Sequence, residues 1–84
     1  MDNRSTPTDA IADLARRVKA RRLPSAEDRR RIREAAGVSI REAARAIGVT
    51  PMAFLRWEDG RSRPRPDHAE TYRRFLDALK VAIR

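Results

Sequence analysis

Apolar residues recur along this chain at helical spacing and nowhere alternate as a strand requires. Ile11, Leu14, Ala15 and Val18 fall at i, i+3, i+4 and i+7, which makes one stripe of a first helix. Thr6-Pro7-Thr8-Asp9 opens that helix. Thr6 caps it, Pro7 suits a position whose N–H has no partner anyway, and Asp9 meets free N–H groups. Leu23-Pro24 ends it, because proline pushes the residue before it out of the helical region. Residues Met1 to Ser5 read as a disordered start.

Ser25 opens a second helix with Asp28 three residues on; Ile32, Ala35 and Ala36 are its inward positions and Gly37 ends it. Ser39-Ile40-Arg41-Glu42 is a capping box for a short third helix with Ala43, Ala44 and Ile47 inside. Gly48 stops that helix. Thr50 caps a fourth, Pro51 fills its first position, Phe54 and Trp57 face inward, and Gly60 terminates it. Arg61-Ser62-Arg63-Pro64-Arg65-Pro66 reads as an extended basic linker. The last helix runs from about Asp67 to Ala82, with Tyr72, Phe75, Leu76, Leu79 and Ile83 as its stripe. The expectation is an all-α fold, a small bundle of about five helices. The stripe of Ile11, Leu14 and Val18 is expected to pack on that of Leu76, Leu79 and Ile83.

The third and fourth helices are joined only by Gly48-Val49-Thr50. Ala43 and Ala44 are small where the two helices must approach closely. Phe54 and Trp57, at i and i+3, anchor the fourth helix inward, so Pro51, Met52, Leu55 and Arg56 are left facing out. An amphipathic helix ordinarily turns polar residues outward. Methionine and leucine beside an arginine suit the floor of a major groove, where thymine methyls take apolar contact and guanine takes arginine.

Composition agrees with an anionic partner. Lys and Arg number 20 against 12 acidic residues, for a net charge of +8 over 84 residues. Lys19 and Lys80 are the only lysines, and arginine's planar fork matches phosphate and guanine. Arg16, Arg17, Lys19, Arg21 and Arg22 crowd the polar side and the end of the first helix, and Arg29-Arg30-Arg31 reads as a solvated face. Aromatics at 5% are too few for a single-strand stacking platform. The absence of cysteine excludes a disulfide framework and cysteine zinc fingers. His68 is the only histidine, placed in the first turn of the last helix and exposed, so no metal site and no cofactor are expected. No apolar run suits a membrane span or signal segment, which implies a soluble, cytoplasmic chain with no membrane partner. No nucleophile–base pair or glycine-rich phosphate loop suggests an enzyme, and no small-molecule effector is evident.

Residues Arg31 to Pro66 resemble the Cro/C1-type (XRE-like) helix-turn-helix of phage repressors and bacterial regulators, a lambda-repressor-like fold. The matching text is IREAAGVSIREAARAIGVTPMAFLRWEDGRSRP. Ala44, Gly48, Val49, Phe54 and Trp57 fall on the family's structural positions, and Glu58 and Gly60 on its closing Glu-x-Gly. The resemblance implies double-stranded DNA as partner. Pro51, Met52 and Arg56 match positions that face base edges, and Leu55 lies between them. Ser39 and Arg41 match phosphate contacts, with Thr50 expected beside them at the backbone. Arg61, Arg63 and Arg65 match a basic loop that tracks the sugar-phosphate. Arg33 matches an arginine that pairs with the glutamate matched by Glu58. This divides the chain into an arm and accessory helix at 1–24, a helix-turn-helix core with its linker at 25–66, and a closing helix at 67–84, all within one domain.

The chain departs from the pattern in three places. Ile40 stands where the family places a polar residue, often Gln. Pro51 has no N–H to donate. A single longer helix follows the motif where the family usually has two short ones. The leading function is a sequence-specific transcription regulator, a Cro-like repressor that occupies an operator. AIGVTPMAFLRWEDG also resembles the MerR/excisionase type, which would make the chain an architectural recombination factor. A third reading is an antitoxin or anti-repressor that meets a protein partner through Met52 and Leu55. The family often binds palindromes as a dimer, and the sequence leaves homodimer and monomer both open.

Overall fold

Four of the helices begin where a short polar side chain takes up an N–H that the helix itself leaves unbonded. Thr6, Ser25, Ser39 and Thr50 accept from the N–H groups of Asp9, Asp28, Glu42 and Ala53 at 3.0–3.1 Å. The computed structural model describes residues 6–84, and the elements so started are α1 (Pro7–Arg21), α2 (Ala26–Ala35), α3 (Ile40–Ile47) and α4 (Pro51–Glu58). The fifth, α5 (Pro66–Ala82), begins with proline at its first position and has no side-chain cap. There is no strand among the described residues, so the protein is all-α. The expectation for Met1 to Ser5 lies outside the described residues.

Helix ends are set as locally as the starts. At the end of α4 the N–H of Arg61 reaches the carbonyl of Arg56 at 2.9 Å and that of Gly60 reaches Trp57 at 3.2 Å. This double closure needs a left-handed residue between, and Gly60 supplies it at φ 73°. Gly48 does the same for α3 at φ 88°, which turns the chain sharply enough for Thr50 to cap α4 two residues later.

The box at α3 also responds to pH. Glu42 accepts the Ser39 N–H at 2.9 Å, and bonds to the Ser39 backbone and side chain hold its carboxyl below the usual glutamate range. A carboxyl whose folded pKa is lowered contributes stability that is complete above its unfolded pKa and is lost as pH falls through the folded one. The window therefore opens below the ordinary value of 4.5. Glu42→Gln is expected to melt below the wild type at neutral pH and to converge with it in acid. A gap that stays constant across that titration would show that the carboxylate charge does not contribute.

The core lies between α5 and the α2–α3–α4 group. Tyr72, Phe54 and Leu76 are its largest fully buried side chains, with Ala43, Ala44, Ile47 and Trp57 around them. Leu23, Ile32, Val38, Ile40, Val49 and Phe75 pack on its margin. Ala35 is exposed, contrary to its expected inward place, because the inward face of α2 is taken by Arg29, Ile32 and Arg33.

The expected interlock of α1 with α5 is corrected more substantially. The two helices do lie together, but α1 contributes no buried residue. Ile11, Leu14 and Val18 are 69%, 58% and 51% exposed, and Ile83 is exposed as well. Leu76 is already wholly enclosed by the core on its other side, so it offers the α1 stripe no seat. A polar contact attaches the end of α1 to α5: the Arg73 guanidinium donates to the carbonyls of Lys19 and Arg22 at 3.1 and 2.7 Å. The Lys19 carbonyl also accepts the Arg22 N–H at 3.1 Å, the Arg22 carbonyl lies past the last turn, and a cation beside both suits the helix dipole.

Candidate nucleic-acid interface

The geometry of the site begins with the two alanines of α3. Ala43 and Ala44 are 0% and 1% exposed, and with no side chain beyond Cβ they let α4 cross close by. Phe54 and Trp57 hold α4 from beneath. Phe54 lies 5.3 Å from Tyr72 between ring centroids, and Trp57 stacks on Tyr72 at 5.6 Å and 28°. Because the inward face of α4 is fixed by these rings, its other face is necessarily open. Pro51, Met52, Leu55 and Arg56 are all exposed there.

The end of α4 is tied to α2 by arginines. Arg33 grips Glu58 through two parallel bonds, Nε to Oε2 at 2.6 Å and Nη2 to Oε1 at 2.9 Å. Its Nη1 also donates to the Val38 carbonyl at 2.8 Å. The Glu58 hydrogen bond is the main reason the Arg33 pKa is raised further, so the guanidinium stays charged. Arg30 adds a contact at 3.6 Å to Glu58 and another at 3.2 Å to Asp59.

A protein-family model described as a helix-turn-helix domain matches residues 30–83. The chain belongs to this family. It is of the Cro-type, XRE-like class. No curated protein and no solved structure matches the chain. A helix-turn-helix domain of this class points to DNA binding.

Within the helix-turn-helix domain, cations without acidic partners fall mostly along one stretch. Arg41, Arg45, Arg56, Arg61, Arg63 and Arg65 are exposed and make no ion pair among the described residues. On α2 and α5 most exposed arginines are neutralised by acids three or four positions away, as in Arg31 with Glu27 and Arg74 with Glu70. The contrast leaves α3, α4 and the following loop with the uncompensated charge. Ser39 and Thr50 are exposed at the helix starts, with their oxygens accepting capping bonds, so each hydroxyl proton remains to be donated.

Two expectations within the domain are corrected. Arg29 is not on a solvated face: it is 8% exposed, lies 5.3 Å over the Tyr72 ring, and donates to the carbonyls of Pro24 at 2.8 Å and Trp57 at 3.0 Å. The signal was present in its spacing, since 29, 32, 33 and 36 share one helical face, but arginine's charge argued for solvent. His68 is half-buried rather than exposed, with its ring 5.7 Å from that of Trp57. Among the described residues no group of three or more metal-ligating side chains comes together, and no helix is long and apolar enough to cross a membrane.

Proposed function

We propose that this chain is a sequence-specific double-stranded DNA-binding transcription regulator, a repressor of the Cro kind, with α4 in the major groove. The observation that carries this reading is the outward face of α4. Met52 and Leu55 are 58% and 38% exposed beside the unpaired Arg56, on a helix whose other face is locked into the core. Arg56 reads guanine through its fork, and Met52, Leu55 and Pro51 take apolar contact with thymine methyls. Arg41, Arg61, Arg63 and Arg65, with Ser39 and Thr50, hold the backbone on either side. The role is occupancy of a site and exclusion of other proteins from it, without catalysis. The described residues carry no strand, and so no wing of the kind the excisionase reading requires.

Selection of bound duplexes from a random pool at physiological salt tests the reading. Enrichment of one motif supports it, and a palindromic motif reports two copies on DNA. Retention without enrichment would make the protein architectural, and no retention would remove DNA as the partner. Repeating the selection with Arg56→Ala is expected to relax one base position, with a loss of about 1–3 kcal/mol in discrimination there. Unaltered preference at every position would remove Arg56 from base readout.

A further inference from the structure

We infer that the cleft between the end of α1 and the α4–α5 loop is a phosphate-binding site, and that it extends the grip on duplex DNA beyond the helix-turn-helix. This rests on the DNA-binding reading above. The cleft, about 430 Å³, is lined by Arg21, Leu23, Pro24, Arg29, Arg63 and Pro64. Three arginines meet there with no carboxylate in the lining. None of the three makes an ion pair among the described residues.

Elsewhere on α1 the pattern is the opposite: Arg16 and Arg17 both turn to Asp13. Arg29 cannot move away from its neighbours. It is 8% exposed and pinned by the Pro24 and Trp57 carbonyls, and its buried Nε has no hydrogen-bond partner. Its charge therefore sits in the floor of the cleft, where low polarizability makes repulsion between like charges felt. Arg21 and Arg63 line the same cleft, and neither side chain donates a hydrogen bond among the described residues. An oxyanion seated between them offsets the repulsion and accepts from both forks. Arg63 shares its loop with Arg61 and Arg65, the loop expected to track the DNA backbone, so a phosphate of the bound duplex is the occupant. Arg21 precedes the region 30–83 that the family shares, and the contact belongs to this chain's additional helix.

The test is the salt dependence of duplex binding by the full chain and its Arg21→Ala variant, read by fluorescence anisotropy on the selected site. Arg21 makes no hydrogen bond with another side chain among the described residues, so unchanged helicity and melting serve as the control for folding. The slope of log affinity against log salt is expected to become shallower by about 0.9, the amount for one phosphate, while the preferred base sequence stays the same. An unchanged slope in a wild type that binds DNA overturns this inference and leaves the DNA-binding reading standing. A wild type that binds no duplex overturns both. Inorganic phosphate at constant ionic strength separates the sources. If it raises the melting temperature of the wild type but not of Arg21→Ala, and the DNA slopes are equal, the site holds a free anion and the duplex assignment is wrong.

Discussion

Arg33→Ala is expected to destabilise the protein by about 3–5 kcal/mol, the usual result of removing one partner from a buried ion pair. The side chains of Arg33 and Glu58 are 11% and 1% exposed. Removing the guanidinium leaves a carboxylate in the interior with only Arg30 at 3.6 Å to answer it. The Val38 carbonyl loses its bond from Arg33 at the same time. In a domain of this size each kcal/mol moves the melting temperature by roughly 4–8 °C, so the midpoint is expected to fall by at least about 12 °C. Thermal unfolding followed by circular dichroism measures it. The double variant Arg33→Met, Glu58→Leu is expected to recover much of the loss, since an apolar pair of similar volume carries no desolvation cost. A single variant that melts within a few degrees of the wild type would show that the pair is not structural.

Phe54→Ala is expected to cost a similar amount, about 3–5 kcal/mol, through a different cause. Phe54 is 0% exposed, 5.3 Å from the Tyr72 ring and 6.3 Å from that of Trp57. Truncation removes the apolar burial and opens a cavity that rings held on α4 and α5 can close only in part. Because this ring fixes the inward face of α4, the same cavity loosens the outward face, and DNA affinity is expected to fall with stability. Met52→Ala, on the same helix, is the contrasting case. Its side chain is exposed, so stability should stay within about 0.5 kcal/mol. If Phe54→Ala leaves the melting transition in place, the packing that positions α4 does not depend on this ring.

The helix starts were legible because capping is a local matter between a hydroxyl and an N–H three residues away. The sequence Ser39–Glu42 contains both halves of its box, and Thr50-Pro51 contains the opening of α4. The outward face of α4 followed from the spacing of Phe54 and Trp57 alone. The spacing put Arg29 on the inward face of α2, but the partners that allow a charge to be buried there were not legible. Charge argued for solvent, and the two carbonyls and the ring that enclose it come from positions 24, 57 and 72. The apolar stripe of α1 misled in the opposite direction, since periodicity shows that a helix has an apolar face and not that another element covers it.

The sequence by itself determined the elements: five helices, their caps, the glycine turn between α3 and α4, the basic excess, and the residues left on the outer side of α4. These depend on contacts within about four residues, where chemistry and spacing coincide. The pairing of Arg33 with Glu58 was expected from the resemblance, but only the tertiary structure decided what the other arginines do. It buried Arg29 against the end of α4, turned Arg73 onto the end of α1, and brought Arg21 beside Arg63 at one cleft. An arginine is long, charged and rich in donors, so its environment is set by whichever distant carbonyls and carboxylates the fold delivers to it.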